Sequence, residues 1–188
     1  MALNQQENQL SIFPKTSKKK TVATKNHKKT GQFLKIFIDG ASRGNPGESG
    51  AGVYVIDEKG KVFLSEGFYI GKKTNNQAEY LALLFAAYLT TIHLKNINVQ
   101  TQLNFVSDSE LLVKQMCGNY KVKNHFIARV KNVVDNILKN IPHTFTHTRR
   151  ENNTIADALA NSGVDKRKKI PDILKKFLLQ THIFSPLP

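Results

Sequence analysis

The spacing of apolar residues changes period several times along the chain. FLKIFID (33–39) and GAGVYVID (50–57) read as strands. The turn EKG (58–60) then leads into KVFLSEGFYI (61–70), a third strand, so the first part is a β-meander with glycine punctuation. From Thr74 the period becomes helical. Glu79, Ala82, Leu83, Ala86 and Ala87 share one face, with Tyr80, Leu84 and Tyr88 beside it. LNFVS (103–107) predicts a short buried strand and SELLVKQM (109–116) a helix. Phe126, Ile127, Val130, Val133, Val134, Ile137 and Leu138 recur at helical spacing within 124–139. HTFTHT (143–148) alternates as a fifth strand, and TIADALANSGV (154–164) predicts a short helix. The order βββαβααβα, without internal repeats, predicts an α/β fold with a five-stranded mixed sheet covered by helices. After Pro171, DILKKFLL (172–179) is amphipathic and suits packing on that domain, with docking to a partner as the other reading.

Charge divides the same chain differently. The net charge is +14 over 188 residues. Residues 1–32 hold seven Lys and one Glu, or +6, and 165–188 hold six Lys/Arg and two Asp, or +4. The expected organisation is therefore a basic, disordered arm (1–32), a folded central domain (33–164) and a basic, amphipathic tail (165–188). Such arms attract phosphate backbones without reading sequence; a solubilising tail is the alternative. One cysteine, Cys117, excludes a disulfide framework and a CxxC metal pair, and is read as a buried or idle thiol. No apolar run reaches membrane-span length, and the N-terminus lacks a secretory or transit pattern. A cytoplasmic monomer without membrane association is expected.

Four acids fall at the ends of predicted core elements: Asp39 closes the first strand, Glu79 opens the long helix, Asp108 follows the fourth strand, and Asp157 sits in the last helix. Each has an ordinary explanation. Asp39 suits a turn, Glu79 the positive end of a helix, Asp108 an N-cap, and Asp157 a solvated surface. Together they suggest convergence, because strands one and four of a mixed sheet commonly lie side by side. Like charges share a site only when protons or cations neutralise them. An all-oxygen donor set without Cys or clustered His points to Mg²⁺ or Mn²⁺.

At these residues the chain resembles ribonuclease H type 1. The shared motifs are FIDGASRGNPG (37–47), TNNQAEY (74–80), SDS (107–109) followed by LLVKQ (111–115), and HTRRENNTIADALA (147–160). They occur in the family's order and span most of 33–164. The resemblance implies the RNase H-like fold and endonucleolytic hydrolysis of the RNA strand of RNA–DNA hybrids. It implies a two-metal mechanism that leaves 5′-phosphate and 3′-hydroxyl ends. It assigns Asp39, Glu79, Asp108 and Asp157 as catalytic metal ligands for two Mg²⁺ ions, with Mn²⁺ as a substitute, and His147 as a proton-moving or product-releasing histidine. Gly40, Asn45, Thr74, Asn75 and Asn76 become substrate contacts. The glycines would let backbone approach a sugar–phosphate track, and amides near Asn45 would read 2′-hydroxyls. Capping is the alternative for Thr74, Asn75 and Asn76. Lys72 and Lys73 would add phosphate contacts.

One departure matters. Some family members carry a basic, Trp-containing insertion between the helices after the third acid. Here GNYKVKN (118–124) joins them directly, and the chain has no tryptophan. Grip on substrate then falls to the N-terminal arm, with Lys121 and Lys123 as helpers. Double-stranded RNA stays open as a second substrate. The other function classes are a catalytically weak nucleic-acid-binding module and another nuclease or integrase on the same fold.

Overall fold

The computed structural model describes residues 32–95 and 101–184. Residues 1–31 of the basic arm lie outside the described residues, and Gln32 already belongs to β1. Five strands form one mixed sheet: β1 (Gln32–Gly44), β2 (Gly47–Asp57), β3 (Val62–Lys73), β4 (Thr101–Ser107) and β5 (His143–His147), in the order β3-β2-β1-β4-β5. β1 pairs antiparallel with β2 and parallel with β4, as the sequence pattern suggested. The helices are α1 (Asn75–Lys95), α2 (Glu110–Met116), α3 (His125–Leu138), α4 (Thr154–Asp165) and α5 (Asp172–Gln180). Among the described residues no helix is long and apolar enough to cross a membrane.

The first two strands extend past the predicted 33–39 and 50–57 into the glycine-rich stretch. β1 runs through Asp39 to Gly44, and β2 resumes at Gly47. The glycines serve helix packing. A Cβ at Gly40 would overlap the backbone of Ala78 and Glu79, so α1 lies directly on that face of the sheet. Gly50 and Gly52 face the other way, where a Cβ would overlap the carbonyls of Ala160 and Ala156 in α4. Gly67 meets Leu159 in the same manner. Small residues on both partners thus let α4 settle close to the sheet, and this fixes where its N-terminal turn can stand.

α1 is the central pillar. Ala78, Tyr80 through Ala87 and Leu89 are all buried, so the helix is apolar nearly all round rather than along one stripe. Such a helix has core on every side. The sheet's Leu34, Ile36, Ile38, Leu103 and Phe105 join the same core as Ile127, Val130 and Val134 of α3. The buried Tyr80 hydroxyl donates to Gln115 Oε1 at 3.0 Å, and Gln115 Nε2 donates to the Lys121 carbonyl at 3.2 Å. These bonds tie α1, α2 and the short 118–124 connection together.

The amphipathic segment after Pro171 packs on the domain, the first of the two readings its pattern allowed. Leu174 and Leu178 of α5 are fully buried, and Phe177 stacks on Tyr88 of α1 with ring centroids 3.8 Å apart. The Lys168 carbonyl accepts from the Tyr69 N–H at 2.8 Å, which fastens the connection along β3.

Candidate metal and nucleic-acid site

The parallel register of β1 and β4 runs to Phe37 opposite Val106. Two residues further on stand Asp39, still within β1, and Asp108, just past the end of β4, at the same end of the sheet. α1 begins beside Gly40, and this brings Glu79 over the same point. Carboxylate oxygens of Asp39, Glu79 and Asp108 all lie within 4.8 Å of one another. Asp39 is only 6 % exposed, and Glu79 Oε2 is buried with no hydrogen-bond partner.

The electrostatics follow from that crowding. Burial, followed by repulsion from Asp108 and Asp157, pushes the Asp39 carboxyl up to about 7. Burial and the charges of Asp39 and Asp108 hold Glu79 well above the usual carboxylate range. The Gly40 N–H opposes both shifts by hydrogen bonding to the carboxylates. Among the described residues, these three acids, one with an orphaned buried oxygen, form no ion pair with a Lys or Arg. This all-oxygen set fits a hard divalent ion.

Asp157 stands apart from the trio, although its charge reaches Asp39. Its Oδ1 accepts from Arg150 Nη2 at 2.9 Å, and its Oδ2 from Asn161 Nδ2 at 3.3 Å. Asp108 does not cap α2: Ser109 does, its hydroxyl accepting from the Leu112 N–H. Asp108 is thereby left available to the trio. His147 is exposed at the end of β5, opposite Ser107 and one strand over from Asp108. Its charge reaches Glu110 at the start of α2.

The substrate-contact candidates gather at the neighbouring end of α1. Thr74 and Gln77 form a reciprocal cap: the Gln77 N–H donates to Thr74 Oγ1 at 3.3 Å, and the Thr74 N–H to Gln77 Oε1 at 3.0 Å. The Asn75 N–H donates to Asn45 Oδ1 at 3.1 Å, which links the β1–β2 turn to α1. Asn75 and Asn76 are exposed, whereas Gly40 is wedged under α1. Lys73 Nζ sits over the Phe184 ring at 5.2 Å, and burial lowers its pKa. Cys117 is exposed rather than buried, at the C-cap of α2.

Two residues were missed by sequence reasoning. Asn153 is 1 % exposed. Its Nδ2 donates to the Ile38 carbonyl at 2.9 Å and to Asp108 Oδ1 at 2.8 Å, joining the start of α4 to β1 and to the trio. Arg150, on the 3-10 turn Arg150–Asn152, pairs with Asp157. Both lie within the motif HTRRENNTIADALA, but just ahead of a helix they read as capping.

A family model described as reverse transcriptase-like matches residues 37–163. Ribonuclease HI of Halobacterium salinarum is 34% identical over 136 residues, covering 72% of this chain and 66% of that protein. The crystal structure of LC11-RNase H1 in complex with an RNA/DNA hybrid is 38% identical, with a TM-score of 0.67, over 71% of this chain and 97% of that one. The chain belongs to the ribonuclease H type 1 family. It also matches the bifunctional protein Rv2228c of Mycobacterium tuberculosis, at 34% identity over 70% of this chain. The chain spans about two thirds of the Halobacterium ribonuclease HI and 36% of the mycobacterial protein.

Proposed function

We propose that this ribonuclease H family member is an endonuclease that hydrolyses the RNA strand of RNA–DNA hybrids, giving 5′-phosphate and 3′-hydroxyl ends. The observation that carries the reading is the Asp39–Glu79–Asp108 trio with its orphaned buried oxygen. Membership of the family, and a hybrid-bound relative at 38% identity, supply the substrate class. Asp39, Glu79 and Asp108 would hold one divalent ion, and Asp39 would share a second with Asp157. Magnesium is the favoured ion, with manganese as substitute. When bound, the ions activate the attacking water and stabilise the departing oxygen.

The chain's own groups do the remainder. Asn153 holds Asp108 in place and ties α4 to the strand ends. His147, exposed one strand away, would carry a proton at the rim. The N-terminus of α1 suits a substrate phosphate near Thr74. With its Oδ1 occupied by the Asn75 N–H, Asn45 has its amide NH₂ left for RNA hydroxyls beside Asn75 and Asn76. Gly40 acts by keeping α1 close to β1, and its N–H orients the carboxylates.

Replacing a short run of ribose by deoxyribose in the RNA strand should block cleavage at nearby phosphates. Asp108→Asn should abolish turnover at saturating Mg²⁺ while leaving the fold intact. Near-normal turnover of that variant, or equal cutting of the deoxyribose-substituted strand, would overturn the proposal.

A further inference from the structure

The two halves of the site are neutralised differently. In the trio, three carboxylates face one another and Glu79 Oε2 has no partner. Asp157 is satisfied by protein groups, with Arg150 on one oxygen and Asn161 on the other. The Arg150 side chain is 78% exposed and that of Asp157 32%, so the guanidinium has open solvent into which it can withdraw. Its positive charge also acts on Asp39, Asp108 and Glu79, so one exposed cation serves the whole acidic cluster.

We propose that Arg150 is the site's built-in counter-cation: it holds Asp157 in the metal-free protein, and a divalent ion ligated by Asp157 must displace it. This rests on the reading of Asp157 as a metal ligand. Among the described residues no Lys or Arg is ion-paired with the trio, whereas Asp157 is paired with Arg150, so an ion binds more readily at the trio than at Asp157. Loading of the two positions is therefore unequal and ordered. Arg150 weakens the second position, so an ion loads there only at a higher concentration than at the trio.

Exposed ion pairs are worth roughly 0.2–1 kcal/mol, so removing this one should tighten the weaker metal position about 1.4- to 5-fold. The test is calorimetric titration of Mn²⁺ into wild type, Arg150→Gln, Arg150→Lys and Asp157→Asn without nucleic acid, alongside melting temperatures with and without metal. Arg150→Gln should tighten the weaker ion, lower the metal-free melting temperature and enlarge the metal-induced rise. Arg150→Lys should stay near wild type. Unchanged or weaker Mn²⁺ binding in Arg150→Gln overturns the proposal, as does a raised KM for hybrid with unaltered metal affinity, which would mark a phosphate contact. Asp157→Asn separates the two claims. If it retains both ions, the underlying ligand assignment fails. If it loses one while Arg150→Gln changes nothing, only the counter-cation role fails.

Discussion

Replacing Asp39 by Asn should stabilise the metal-free protein, because the wild-type carboxylate is buried against two other acids. Asp39 lies at 6 % exposure, and its carboxyl is pushed from 3.8 to about 7, first by burial and then by Asp108 and Asp157. The folded protein therefore holds this proton more tightly than the unfolded chain does. Stability falls as pH climbs from about 4 to about 7 and levels off above that. At about 1.4 kcal/mol per pH unit, ionising Asp39 at pH 8 costs up to about 4 kcal/mol. Local relaxation and sharing of protons with Glu79 reduce this, so a gain of roughly 2–4 kcal/mol is expected for Asp39→Asn. For a chain of this size that corresponds to about 5–15 °C in melting temperature. The assay is thermal unfolding of both proteins in a chelator from pH 5 to pH 8. The gap should be largest at pH 8 and shrink toward pH 5, where the wild-type group carries its proton. Magnesium should stabilise the wild type more than the variant. A variant that melts at or below wild type at pH 8, or a gap that does not change with pH, would refute the idea that repulsion is stored in the trio.

Gly40→Ala should destabilise by about 2–3 kcal/mol, since its Cβ would overlap the backbone of Ala78 and Glu79; denaturant unfolding checks this. Leu178→Ala should cost about 2–4 kcal/mol if α5 belongs to the cooperative unit, and an unchanged midpoint would show that α5 is an appendage. Deleting residues 1–32, which carry +6, should leave the rate at saturating hybrid nearly unchanged. If the arm meets about four phosphates, it should also make the slope of log K against log salt shallower by roughly 3–4.

The sequence made the order of elements, the central placement of the first strand beside the fourth, and three converging acids legible. Each of these depends on local periodicity or on residues that end an apolar run. What it hid depends on contacts between distant segments. Glycines 40, 50 and 52 look like turn or substrate residues until two helices are seen pressed on opposite faces of the sheet. α1 reads as one-sided because its first turns carry polar residues, yet α3 and α5 cover the side away from the sheet. Asn153 is indistinguishable from an ordinary cap, because its bonds reach Ile38 and Asp108, 115 and 45 residues away. Arg150 falls in a run of charged and polar residues, and only the folded turn pairs it with Asp157. The amphipathic stretch at 172–179 was visible, but the stacking of Phe177 on Tyr88 that seats it was not.

The most direct test of the central claim is a cleavage assay on end-labelled RNA–DNA hybrid, double-stranded RNA and duplex DNA, each with and without Mg²⁺. The account predicts endonucleolytic cutting of the RNA strand of the hybrid, dependent on the ion, with 5′-phosphate and 3′-hydroxyl products and no cutting of duplex DNA. Cleavage of double-stranded RNA would widen the substrate range without moving the site. Binding of hybrid without metal-dependent cleavage, or preferential cutting of duplex DNA, would contradict it.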